Sequence, residues 1–138
     1  MTSRDEWILV YPGNEAGERF IESLIRDRLS FAAVAASEGQ RARLAQRGVR
    51  CLTGAIADET SPSRIPELPI GKVYLFENGL SSCCRLVQLF RSWTGRSIYV
   101  ITRGSNFRAI YREIGADYVI HTNGNDVSFL LANEKPIG

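Results

Sequence analysis

The chain has 138 residues, of which 44% are hydrophobic and 23% are charged, and its formal net charge is +2. A chain of this length predicts one domain with a core of its own, so we treat residues 1–138 as a single unit. The ordinary apolar content excludes a disordered chain, the small net charge argues against a nucleic-acid partner, and the apolar runs are too short to span a membrane.

Three cysteines, Cys51, Cys83 and Cys84, form no CxxC pair, and His121 is the only histidine. This set lacks both the ligand spacing of a zinc site and the even count of a disulfide framework. We therefore expect no metal, reduced thiols packed as small apolar groups, and a cytoplasmic location.

Six short apolar runs alternate with helical patterns along the chain. The runs are residues 7–11, 31–35, 49–53, 72–76, 97–102 and 118–121. The predicted helices include an apolar face from Phe20 to Ile25, then residues 38–47, 80–93 and 105–114, with a short amphipathic piece at 127–132. Uninterrupted apolar runs are typical of strands covered on both faces. The pattern predicts an α/β fold: a doubly wound, Rossmann-like, mostly parallel six-stranded sheet with helices on both faces.

Local signals mark where two helices begin or end. Ser37 and Gln40 form a capping box, in which the Ser37 hydroxyl accepts the Gln40 N–H while the Gln40 side chain reaches back. Gly48 and Gly115 each follow a helical pattern, so we expect both to end their helices, and Gly115 to do so with positive φ. Asp117 should then lie outside the core. The fourth helix carries one apolar face: Phe107, Ile110, Tyr111 and Ile114.

The turn after the first strand is where a dinucleotide fingerprint, G-x-G-x-x-G, would lie, since ligands of such sheets bind beyond the carboxyl ends of the strands. The three glycine positions hold Pro12, Asn14 and Gly17 in one register, and Tyr11, Gly13 and Ala16 in the other. Either register lacks at least the first glycine. The Asn14 side chain takes space that a phosphate needs, and Glu15 competes for the N–H groups of the helix N-terminus.

The acidic residue that would hold a ribose after the second strand is also missing, because Ala35 and Ala36 stand there. We therefore predict a degenerate nucleotide site that holds no NAD and no other cofactor. The residues that would line it are Pro12, Gly13, Asn14, Glu15, Ala16, Gly17, Ala36, Ser37, Gly54, Ala55 and Asn78.

The order of these motifs resembles the RCK (regulator of potassium conductance) N-terminal domains, also called TrkA-N or KTN domains, over residues 7–122. The resemblance is carried by residues 8–17, 44–49, 54–58, Ile70 and 111–120. In the last of these, a helix ends in Gly115-Ala116-Asp117 directly before the sixth strand. Where the family has G-x-G-x-x-G, an acidic residue and Gly-Asp-Ala, this chain has altered residues at all three places, the third being Gly54-Ala55-Ile56.

The resemblance implies a cytoplasmic regulatory or assembly domain of a potassium or other cation transport system, with an altered or lost NAD site. Its implied partners are a membrane channel or transporter subunit and a second copy of the chain, and the domain itself does not span the membrane. The alternative is a sensor that binds a different nucleotide or a small anion at the switch point, with Glu77, Asn78 and Arg103 as polar groups. A sequence without a Tyr-x-x-x-Lys or Cys–His pairing does not indicate an enzyme.

The helix predicted at residues 80–93 has an apolar arc of roughly 220°, far wider than the stripe of about 100° that covers a sheet. The excess predicts a second partner surface, most simply the same helix of another copy. We expect a homodimer contact through Leu86, Leu89, Phe90 and Trp93.

Overall fold

The computed structural model describes residues 6–52, 68–104, 107–124, 127 and 129–130. Within them strands and helices alternate in chain order. They are β1 (Trp7–Pro12), α1 (Glu15–Arg26), β2 (Phe31–Ala33), α2 (Glu38–Gln46), β3 (Arg50–Cys51), β4 (Ile70–Phe76), α3 (Leu80–Arg91), β5 (Ile98–Thr102), α4 (Arg108–Ile114) and β6 (Tyr118–His121).

The six strands form one sheet in the order β3-β2-β1-β4-β5-β6, and every neighbouring pair is parallel. Val10 of β1 lies beside Ala33 of β2 on one side and Tyr74 of β4 on the other. The chain first winds outward from β1 to β3 and then returns to the other side of β1. This order confirms the doubly wound, Rossmann-like α/β fold, and it places the switch point between β1 and β4.

Alternate residues of each central strand point to opposite faces of the sheet, and each face has its own apolar core. On one face, Val10 and Tyr74 pack with Phe20 of α1. On the other, Leu9 and Leu75 pack with α3 and α4. Burial on both faces explains why the strands read as uninterrupted apolar runs.

The sheet buries part of the contact surface that was expected on α3. Leu86 and Phe90 are 1% and 0% exposed and belong to the core, so they offer no surface to a second copy. On α4, Tyr111 is buried, whereas Phe107 and Ile110 are 38% and 44% exposed. The width of an apolar arc does not reveal which part of it meets the sheet, and this is why the expected contact through Leu86 and Phe90 needed correction.

The predicted helix signals are confirmed. The Ser37 hydroxyl accepts the Gln40 N–H at 3.1 Å at the start of α2. Gly48 and Gly115 follow α2 and α4 with φ of +83° and +134°. The third strand is shorter than expected, and the predicted site residues Gly54 and Ala55 lie outside the described residues, as do residues 128, 131 and 132 of the predicted piece at 127–132.

Candidate functional site

The turn between β1 and α1 packs tightly against the end of β4. The Gly13 N–H donates to the Phe76 carbonyl at 3.1 Å, and a Cβ at Gly13 would lie only 2.3 Å from that oxygen. A Cβ at Gly17 would lie 2.6 Å from the Pro12 Cα. Both glycines are thus required by contacts within the chain itself. Close approach of a ligand is not needed to explain them.

Asn14 is the N-cap of α1, and its side chain lies over the start of the helix. Its Oδ1 accepts from the Gly17 N–H at 3.1 Å, while its Nδ2 donates to the Glu77 carbonyl at 2.7 Å. The first bond satisfies an N–H of the helix N-terminus, which is the group a phosphate would use. The second bond ties the β1–α1 turn to the residue after β4. Of the neighbouring predicted site residues, Glu15 is exposed and Ala16 is buried.

Gln40 joins the two turns that border the other half of this crevice. Its side chain is buried, its Nε2 donates to the Pro12 carbonyl at 2.9 Å, and its Oε1 accepts from the Ala36 N–H at 2.7 Å. The same Nε2 contacts a Glu18 carboxylate oxygen at 3.1 Å, and that oxygen also pairs with Arg43 at 3.1 Å. The capping pattern identified Gln40, but not its bonds to a turn 28 residues earlier.

The end of β2 carries no carboxylate that faces the crevice at the expected position. The Ala36 N–H is bonded to Gln40, and the Ser37 hydroxyl is used as the cap of α2. Glu38, the nearest acidic residue in sequence, is exposed and pairs with Arg41 at 3.5 Å. Among the described residues, the polar side chains of Asn14, Ser37 and Gln40 are therefore bonded to groups of the chain itself.

A second group of polar side chains lies beyond β4 and β5. The Glu77 carboxylate accepts from Thr102 Oγ1 at 2.5 Å and from the Tyr111 hydroxyl. Burial, followed by the hydrogen bond to Glu77, raises the pKa of Tyr111, and burial raises the pKa of the neighbouring Cys83 thiol to about 12. Both groups keep their protons at neutral pH, so neither is an activated nucleophile.

Asn78 lies on the outer side of this group. Its side chain hydrogen-bonds to Tyr11, whose pKa is raised by burial despite that bond. The Arg103 carbonyl contacts His121 Nε2 at 2.7 Å. The structure thus uses Glu77 and Asn78 in bonds within the chain. In the described part of the chain, no group of three metal-binding side chains occurs.

Several apolar side chains of α3 and α4 remain partly exposed. On and after α3 they are Leu80, Cys84, Leu89 and Trp93, and at α4 they are Phe107 and Ile110. The two helices contact each other, so these side chains lie on adjoining elements. Phe107 and Ile110 belong to the predicted apolar face of α4, but they were not predicted as part of a contact surface.

No model of a known protein family matches the sequence, and no curated protein matches it. Solved structures with the same doubly wound architecture were found. The TrkA-N domain of the inner membrane protein ybaL from Escherichia coli superposes with a TM-score of 0.68 at 17% identity, over 94% of this chain and 97% of that one. The NAD(P)-binding domain of an exopolyphosphatase-related protein from Archaeoglobus fulgidus gives 0.65 at 15% identity, over 94% and 93%.

A third structure is the GsuK channel bound to NAD, which gives a TM-score of 0.66 at 17% identity. The match covers 83% of this chain but 21% of the channel chain. At these identities the likeness shows the fold. The chain is a Rossmann-type domain with the fold of TrkA-N domains, as the motif order predicted. In the described residues, no helix is both long and apolar enough to cross a membrane.

Proposed function

We propose that this chain is a cytoplasmic regulatory or assembly domain of a potassium or other cation transport system, and that its crevice holds no NAD. The observation that carries the proposal is a TrkA-N fold whose nucleotide crevice is bridged by its own side chains, Asn14 and Gln40. A membrane channel or transporter subunit is the expected partner. The fold is shared with a domain of an inner membrane protein and with part of a channel, and this likeness supports the proposed role.

The electrostatics of the crevice support the absence of a dinucleotide. The Glu18 carboxylate accepts from Gln40, whose side chain borders the crevice, and pairs with Arg43. These contacts keep a negative charge beside the crevice. A pyrophosphate entering beside α1 would have to displace the Asn14 amide from the helix N-terminus and approach this carboxylate. Both changes oppose binding.

The chemistry of the second polar group supports a role without catalysis. The Tyr111 hydroxyl donates to the Glu77 carboxylate, and the Cys83 thiol lies beside both groups. Tyr111 and Cys83 stay protonated at neutral pH. Such a group joins β4 to α3 and α4, and it exposes no nucleophile to a substrate.

We also propose that two copies of the chain associate through the partly exposed apolar side chains of α3 and α4, with Leu89 and Trp93 at the centre. Phe107 and Ile110 extend this surface onto α4. A contact through neighbouring helices would transmit a change in one copy to the other, as a regulatory domain requires.

Calorimetric titration of the purified chain with NADH tests whether the crevice binds a dinucleotide. We expect no heat of binding at micromolar concentrations, and the same result for NAD. A matched variant, Asn14→Gly, removes the side chain that covers the helix N-terminus at little cost in stability and leaves the Gly17 N–H open to solvent. If NADH binds the original chain at micromolar concentrations and the Gln40→Leu variant loses this binding, the proposal is contradicted. Such a result would favour a nucleotide sensor instead.

A further inference from the structure

The outer edge of β6 has the features of a peptide-binding site. β6 is the last strand of the sheet and pairs with β5 alone among the described strands. The Thr122 N–H donates to the Thr102 carbonyl at 3.0 Å, and with the pairing of Thr102 and His121 this fixes the alternation of the ladder. In a parallel ladder alternate residues bond to opposite sides, so Tyr118 and Ile120 bond to β5 and the backbone groups of Val119 and His121 face away from it. These are free positions for an added strand.

A groove of about 500 Å³ runs along this edge, and one of its walls is positively charged. Arg108 and Arg112 line it from α4, one helical turn apart, and both are exposed. Neither makes a hydrogen bond or an ion pair with the described residues. Asp117 also lines the groove, but its carboxylate already pairs with Arg91 at 3.0 Å and accepts from the Ile98 N–H at 2.8 Å.

The other wall is aromatic. Tyr74, Tyr99 and Tyr118 stack across β4, β5 and β6, with ring centroids 4.8 and 4.9 Å apart. These distances match the spacing of about 4.7–4.9 Å between neighbouring strands. Tyr118 ends the row and is 51% exposed. The next place in the row is therefore the place that a side chain of a seventh strand would occupy.

We propose that the free edge of β6 binds an extended peptide segment of a partner protein, in which acidic residues alternate with aromatic or other large apolar ones. The strand would pair with the backbone of Val119 and His121. Its apolar side chains would continue the tyrosine row, and its carboxylates would meet Arg108 and Arg112 on the opposite face, since successive side chains of a strand alternate.

A second copy of this chain does not fit the same edge. Pairing β6 with β6 would bring two sets of Arg108 and Arg112 to one groove, and like charges at that distance repel. The groove shares no residue with the crevice or with the partly exposed apolar side chains of α3 and α4, so binding of the probe is measured independently of the proposed function.

The test uses a fluorescent six-residue probe that alternates tyrosine with glutamate, blocked at both ends, and a control probe with lysine in place of glutamate. Fluorescence anisotropy with the full chain should show binding of the glutamate probe below about 1 mM, weakening as salt is added. Hydrogen exchange followed by NMR should show slower exchange of the Val119 and His121 amides when the probe is bound.

The double variant Arg108→Glu, Arg112→Glu should weaken binding of the glutamate probe about tenfold or more. Arg19→Glu changes an equally exposed arginine on α1 and should leave it unchanged. Tyr118→Thr keeps a strand-forming residue and should also weaken binding, while circular dichroism checks that each variant folds. No binding at about 1 mM, equal binding of the lysine probe, or binding without protection of the two amides would overturn the proposal.

Discussion

Arg91, the last residue of α3, binds Asp117 at the start of β6, with 3.0 Å between Nη1 and Oδ2. The same Nη1 donates to the Gly115 carbonyl at 2.9 Å, and Nη2 donates to the Thr94 and Arg96 carbonyls at 2.9 and 2.6 Å. The Gly-Ala-Asp turn that follows α4 is therefore held by the last residue of α3. This gives a physical reason for the motif that carried the resemblance.

Asp117 lies outside the core, as expected, but it makes structural bonds. We expect Asp117→Ala to lower the free energy of unfolding by about 1–2 kcal/mol, because the Ile98 N–H and Arg91 both lose an acceptor. Urea denaturation followed by circular dichroism measures the change. Asp117→Asn keeps an acceptor oxygen for Ile98 and should cost less. Equal stability of Asp117→Ala and the original chain would show that the turn holds without this carboxylate.

Gly115 has a φ of +134°, a conformation that residues with a side chain rarely adopt, and a Cβ there would lie 3.1 Å from Arg91 Cδ. Gly115→Val should therefore destabilise the chain by about 2 kcal/mol or more. Gly104→Ala is the matched control, because a Cβ at Gly104 meets no atom within 4 Å. A melting temperature of Gly115→Val equal to that of the control would contradict the strain argument.

The fold was predictable because its signals are local. Uninterrupted apolar runs marked the strands, and the capping residue Ser37 and the glycine Gly115 marked helix ends. The bridge from Gln40 to Pro12 was not predictable, because it depends on two turns that meet only in the folded sheet. The roles of Leu86 and Phe90 were misjudged for a similar reason, since the tilt of α3 on the sheet is set by tertiary packing.

The Gln40 bridge makes a stability prediction of its own. Gln40→Leu removes the partners of the buried Pro12 carbonyl and of the Ala36 N–H, so we expect a loss of about 2–3 kcal/mol in the free energy of unfolding. Gln46→Ala changes an exposed glutamine at the end of the same helix and should be close to neutral. If both variants denature at the same urea concentration, the bridge contributes nothing to stability.

The buried thiol predicts how stability depends on pH. Burial raises the pKa of Cys83 from an ordinary value of 9.0 to about 12, so the unfolded chain loses this proton before the folded chain does. The stability that comes from the raised pKa of Cys83 is present below pH 9 and is lost as pH rises towards 12. The free energy of unfolding should therefore fall over that interval. Cys83→Ala should show a shallower fall, measured by urea denaturation at several pH values. Parallel curves for the two proteins would contradict the assignment.

The proposed α3–α4 contact predicts a change of oligomeric state. Leu89 and Trp93 are partly exposed in the single chain, and burying them between two copies would stabilise a dimer. Leu89→Glu or Trp93→Glu would place a charge without a partner in that contact, so light scattering should report a folded monomer. Phe129→Glu changes a side chain that is 51% exposed elsewhere on the chain and should leave the dimer intact. A monomeric original chain at high concentration, or dimers of Trp93→Glu as stable as those of Phe129→Glu, would show that this surface does not join two copies.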